Sequence, residues 1–183
     1  VGDVSCERVY APWEHMQTEM RRDDVPLWSL ETRTPIRDFD VLGFTLQYEM
    51  TYTNILNMLD LAEIPVWAVE RGDEHPIVIA GGSGAFNPEP LAAFIDAFFL
   101  GEGEDAVIDL ANKVREWKAA GMSRHERLRS LLTLPGVYVP RFYEARYGDN
   151  DHFAVLEPTT AEAPARITRR IMEKLPPALV KPI

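Results

Sequence analysis

Residues 76–104 read PIVIAGGSGAFNPEPLAAFIDAFFLGEGE, and this stretch decides the fold. It opens on an unbroken apolar run, 76–80 (PIVIA), of the kind that fits a strand buried on both faces. Four residues rich in glycine (81–84, GGSG) end that run. Asn87 then offers a helix cap, Pro88 suits a first helical position, and Leu91, Phe94 and Ile95 fall on one face, which predicts a helix beginning at Asn87. A second apolar run, 97–100, predicts another strand, and it too ends in glycines (101–104, GEGE). Strand, glycine turn, helix, strand is the repeating unit of a parallel sheet covered by helices.

The same alternation extends in both directions. Upstream, 41–46 (VLGFTL) predicts a buried strand, followed by a helix capped at Thr51 or Thr53, with Ile55, Leu56, Leu59 and Ala62 inward, that Pro65 stops. Before it, Pro12 opens a short amphipathic helix ending near Arg22, and 27–30 form a weak strand candidate. Downstream, a long helix carries Val107, Leu110, Ala111, Val114 and Trp117 on one stripe and closes at Gly121. Ser123 with Glu126 then makes a capping box for a helix holding Leu128, Leu131 and Leu132. After Pro135 the pattern shifts to short β candidates at 137–139, 142–147 and 153–156, with a turn at 148–151. Residues 167–174 fit a strand or a short helix equally. The expected architecture is therefore an α/β, parallel-sheet, Rossmann-like domain over 1–134, with a small β-rich extension over 135–183.

Composition narrows the function classes. Hydrophobic residues make up 46% of the 183, enough for a sizeable core without covalent staples. Cys6 is the one cysteine, which excludes an internal disulfide framework and a thiolate-only metal site. The net charge of −10 argues against autonomous nucleic-acid binding. From Thr160 onward the balance reverses: two acids, Glu162 and Glu173, face five bases, Arg166, Arg169, Arg170, Lys174 and Lys181. Such a tail suits docking against the chain's own body or a neighbouring domain, or equally a solvated helix face. Charges interrupt every apolar run before it reaches the length of a membrane span, and no signal-peptide pattern opens the chain, so a cytoplasmic setting is expected. The start at Val1 and the proline-studded end read as cuts through a longer polypeptide, and processing of a start methionine before Val1 explains the first of these equally well.

In open parallel sheets ligands bind at the carboxyl ends of strands. Three such ends are readable: 45–47, 81–84 and 101–104. The glycine pair Gly81-Gly82 is the best candidate cradle, because glycine lets a ligand approach the backbone and the helix expected at Asn87 would aim its free N–H groups nearby. A plain strand-to-helix turn fits the same residues. No Lys-Ser or Lys-Thr follows, so this is not a P-loop, and the G-x-G-x-x-G dinucleotide spacing is missing. His15, His75, His125 and His152 form no metal-ligand spacing, and Ser83 sits in G-G-S-G, not in the G-x-S-x-G of a nucleophile elbow. No catalytic or metal residue is assigned.

The strings at 43–71 (GFTLQYEMTYTNILNMLDLAEIPVWAVER) and 76–104, with LPGVYVPRFYEARYGD at 134–149 and ITRR at 167–170, resemble the amino-terminal region of the cobalamin-binding-domain radical S-adenosylmethionine (SAM) proteins, in a bacterial branch of that superfamily. The resemblance implies a cobalamin-binding-type Rossmann module followed by a radical SAM barrel, its partner in the same polypeptide. The barrel would hold the [4Fe–4S] cluster and S-adenosylmethionine on a Cys-x-x-x-Cys-x-x-Cys motif that this chain does not contain. By the same resemblance Thr45 falls at the Ser/Thr of an S-x-L-type turn, Gly81 and Gly82 match the pair beside the cofactor's nucleotide tail, and Gly101-Glu102 match a structural G-E-G-E signature. The D-x-H-x-x-G motif that ligates cobalt is absent, and Ser83-Gly84 replaces the Pro-Cys-like pair expected after Gly82. The implied function is an accessory domain of a radical SAM enzyme, binding or once binding cobalamin, with no catalysis of its own. A cofactor-free interaction or substrate-delivery module, and a flavodoxin-like domain for FMN or a nucleotide, are the alternatives.

Overall fold

The computed structural model describes residues 4–148 and 151–172. It is a mixed α/β structure built on a four-stranded sheet in the order β1-β2-β3-β4, with β1 Val41–Thr45, β2 Ile77–Gly81, β3 Ala97–Phe99 and β4 Val137–Tyr138. The first three strands run parallel, in the register Thr45↔Gly81 and Gly81↔Phe99. β4 pairs antiparallel with β3 through Phe98↔Tyr138. The sheet thus takes its last strand from beyond Pro135, where the sequence pattern places a separate extension.

Strand alternation sorts the side chains onto two apolar layers. Leu42, Val78, Ala80, Phe98 and Tyr138 face a core completed by α1 (Glu14–Arg22) and α2 (Tyr52–Leu61). Ile77, Ala97 and Val137 face a second core completed by Leu110 and Trp117 of α3 (Glu104–Ala120) and by Leu128 and Leu131 of α4 (Arg124–Leu131). α3 ends at Gly121 in the left-handed conformation (φ 60°), and the Ser123–Glu126 capping box opens α4.

Four expectations are corrected. The helix at Asn87 does not form: the segment makes two 3₁₀ turns, Ser83–Phe86 and Glu89–Leu91. Pro88 and Pro90 remove two amide donors within three residues, and Pro90 also disfavours helical geometry at Glu89. Leu91 and Ile95 are buried nonetheless. On α3 the buried stripe runs through Ala106, Leu110 and Trp117, leaving Val107 60% exposed. The 27–30 strand reduces to one bridge, Trp28↔Pro35. Residues 167–172 form neither strand nor helix but make one parallel bridge, Gly101↔Arg170; the remainder of the 167–174 expectation lies outside the described residues. β5 (Tyr143–Tyr147) and β6 (Phe153–Pro158) form the expected hairpin, and residues 149–150 of its turn lie outside the described residues.

Candidate functional site at the carboxyl edge of the sheet

Parallel pairing brings Thr45, Gly81 and Gly82 together at the carboxyl ends of β1 and β2. Thr45 is exposed and stands opposite Gly81. The chain then turns back on itself. The Leu46 amide donates to the Gly81 carbonyl (2.7 Å), and the Gly84 amide donates to the Leu46 carbonyl (2.8 Å). Gly82 has φ 98° and ψ −174°, a conformation essentially restricted to glycine. A Cβ there would lie 2.9 Å from the Leu46 carbonyl oxygen, and a Cβ on Gly84 would lie 3.0 Å from the Leu46 side chain. The side-chain space at both glycines is taken by the protein's own β1–α2 turn.

Backbone donors are committed in the same way. The amides of Gly84, Ala85 and Asn87 donate to Leu46, Gly82 and Gly84 respectively. With no α-helix at Asn87, the row of free amides that such a helix start would aim at Gly81 and Gly82 does not form there. A cobalamin tail needs a glycine groove and phosphate donors. Thr45 supplies an exposed hydroxyl and Gly81 a strand glycine whose Cβ would meet only ordinary contacts, but Gly82 is already used in the turn against Leu46, so the pair does not form the open cradle the group needs. Several surface cavities lie away from these residues. One of about 240 Å³ is lined by Val69, Glu89, Ile95, Tyr138, Tyr143 and Leu156, where burial and the bond to Glu89 (2.7 Å) push the Tyr138 hydroxyl's pKa up.

The third strand end, at 101–104, is occupied by the chain itself. The Arg170 amide donates to the Leu100 carbonyl (2.9 Å), and the Glu102 amide donates to the Arg170 carbonyl (3.1 Å). Gly101 (φ 101°) faces the Arg170 backbone so closely that a Cβ would collide with its carbonyl. Gly136 (φ 75°) would place a Cβ 3.0 Å from the Arg170 nitrogen. Arg170 also pairs with Asp109 on α3 (2.7 Å), and Glu102 accepts from the Met172 amide. Gly101 of the GEGE string therefore seats the Arg170 backbone, whereas a Cβ on Gly103 would meet nothing within 4 Å.

At the opposite, amino end of the strands lies a cluster that sequence patterning misses. Asp96 Oδ2 accepts from Arg71 (3.0 Å), Arg124 (2.6 Å) and the Val78 amide (2.7 Å), with all three side chains buried. Burial pushes the Arg71 pKa down, and Asp96 opposes that shift. The available signal was a lone acid inside the apolar run 91–100. Among the described residues no group of three or more His, Cys, Asp or Glu stands where it could hold a metal. Nor is any described helix long and apolar enough to cross a membrane.

Fold and site define an α/β domain whose sheet edge is filled by its own turns and by residues 170–172. Residues 1–140 match the family described as "Radical SAM proteins, N-terminal", and the chain belongs to that family. It is 30% identical over 122 residues to the uncharacterized protein MJ0966 of Methanocaldococcus jannaschii, an alignment that covers 65% of this chain. The chain spans about a quarter of that relative's length, with 25% covered. No solved structure matches it.

Proposed function

We propose that this chain is the amino-terminal accessory domain of a radical SAM enzyme and that it works without a cofactor of its own, as an interaction module for the catalytic domain. The sheet is read as a shortened Rossmann-type half, closed on one side by an antiparallel strand. The observation that carries the cofactor-free reading is the contact between Gly82 and the Leu46 carbonyl, which uses the glycine's conformational freedom for a turn. The [4Fe–4S] cluster and S-adenosylmethionine belong, on this reading, to the catalytic domain. A radical SAM cluster needs three thiolates, and Cys6 is this chain's single cysteine. What these residues contribute is a packed platform: two apolar layers, a buried Arg-Asp-Arg clasp, and a bridge from Gly101 to Arg170.

The test is corrinoid retention by the full-length polypeptide. After mixing with hydroxocobalamin and desalting, the protein fraction is expected to carry no corrinoid absorbance, and a parallel sample with FMN is expected to carry no flavin bands. Stoichiometric corrinoid in the protein fraction would overturn the cofactor-free reading and restore cobalamin at the sheet edge.

A further inference from the structure

We infer that the outer side of β1 accepts one further strand, supplied by a segment of the full-length polypeptide outside the described residues. Two backbone bonds fix which way β1 faces. The Ile77 amide donates to the Asp40 carbonyl (3.0 Å), and the Leu46 amide donates to the Gly81 carbonyl (2.7 Å). Successive residues of a strand turn their amides and carbonyls to opposite sides, so Leu42 and Phe44 also face β2. Val41, Gly43 and Thr45 turn theirs away from it. β1 is the end strand of the sheet, and among the described residues no hydrogen bond reaches the backbone of those three from outside β1.

An edge strand that meets water throughout its life is normally blunted by Lys, Pro or a bulge, because it invites pairing with other chains. Residues 41–45 (VLGFT) carry no charge and no proline, and their register with β2 is unbroken. Gly43 points the same way. It is exposed, and a Cβ there would meet only the Ile79 side chain, at an ordinary 3.6 Å, so no described neighbour requires glycine. Glycine within a strand weakens it and marks places where another backbone comes close. An unprotected edge calls for a permanent cover, which a tethered segment provides from a high effective concentration. The full-length polypeptide has chain to spare, since the aligned part is 25% of the relative MJ0966. A second copy is the poorer occupant, because it brings the same net charge of −10.

A groove of about 250 Å³ beside the edge specifies the chemistry of the incoming strand. Val9, Ile36 and Phe39 give it an apolar wall, against which alternate side chains of the strand would pack. Two charged residues share that wall. Arg8 is paired with Glu31 (2.8 Å). Half-buried Glu7 takes its hydrogen bonds from uncharged groups, among them the amide and hydroxyl of Thr32. Glu7 therefore selects a strand that carries Lys or Arg beside it.

The experiment is amide hydrogen exchange on the full-length polypeptide without added cobalamin. Val41, Gly43 and Thr45 are expected to exchange as slowly as Leu42 and Phe44, which face β2 and report an intact sheet. Gly43→Pro removes one outward donor and should speed exchange at Val41 and Thr45 several-fold while Leu42 and Phe44 stay slow. Glu7→Lys should do the same by setting like charges together. Exchange at Val41, Gly43 and Thr45 several-fold faster than at Leu42 and Phe44 in the parent would overturn the inference. So would protection lost on dilution, which assigns the edge to a second copy. Protection that appears only with an added probe peptide of alternating valine and threonine, lysine at each end, would overturn it too, since the edge would then serve a separate partner. Corrinoid retention decides the cofactor-free reading on its own, and neither result depends on the other.

Discussion

The Leu46 carbonyl oxygen lies 2.9 Å from the point where a Cβ on Gly82 would stand. That one contact turns a glycine pair from an open cradle into a packed turn. It ties the end of β1 to the end of β2 and fills the space beside Gly82 at the position where the sequence pattern predicts a ligand.

Gly82→Ala is therefore expected to destabilise the fold by about 1–3 kcal/mol, through its glycine-only conformation and the backbone contact together. Gly121, at φ 60° with open space where a side chain would stand, is the control: Gly121→Ala should cost only about 1 kcal/mol. Urea unfolding of the two variants checks the order. Equal losses would mean that the Leu46 contact is not tight.

Asp96→Ala leaves two buried guanidinium groups without their shared carboxylate. Removing one partner of a buried ion pair costs about 3–5 kcal/mol, and a loss in that range is expected in thermal or urea unfolding. Asp96→Asn should lose less, because its carbonyl can still accept from Val78 and one arginine. Parent-like stability of Asp96→Ala would show that the clasp does not hold the fold.

Gly101→Ala would drive a methyl group into the Arg170 carbonyl. Segment 167–172 should then lift off, and trypsin should cut after Arg169 or Arg170 several-fold faster than in the parent. Global melting should move less than for Asp96→Ala, because no side chain of either core is altered. An unchanged cleavage rate would show that the bridge does not hold segment 167–172.

The pair Arg129–Glu162 fastens the segment after β6 to α4. Hydrogen bonds from Thr160 and then Arg129 lower the Glu162 pKa from its ordinary 4.5 to about 2. A carboxyl depressed on folding contributes stability that is fully present above 4.5 and is lost as the pH falls toward 2. Carboxyl NMR titration should find the Glu162 midpoint well below that of Glu162 in a peptide. In the parent, but not in Glu162→Gln, the contact should loosen across this window.

Much of the fold was legible because burial leaves periodic traces. The runs at 41–46, 76–80 and 97–100 became β1, β2 and β3, and Ser123 with Glu126 marked α4 to the residue. The errors have local causes. Asn87-Pro88 looks like a helix start, but Pro90 withholds a second donor before a turn can propagate. Val107 satisfies a helical stripe as well as Ala106 does, and only packing against the sheet decides which one faces in. The candidate site was legible as a place and not as a geometry: sequence put Thr45, Gly81 and Gly82 at one sheet edge, where they are. It did not show that Leu46 fills the space, nor that Arg170, far along the chain, fills the space beside Gly101. Such long-range backbone contacts leave no periodic mark, and neither does the pairing of Asp96 with Arg71 and Arg124.

Closure of the sheet edge by the chain's own backbone is tested most directly by amide hydrogen exchange on the full-length polypeptide. The amides to follow are those of Leu46, Gly84, Glu102 and Arg170, each donating to a backbone carbonyl across the edge. Slow exchange is predicted at all four without ligand, unchanged when hydroxocobalamin is added. Fast exchange that becomes slow only with hydroxocobalamin present would contradict it, because the edge would then be an open site that the cofactor closes.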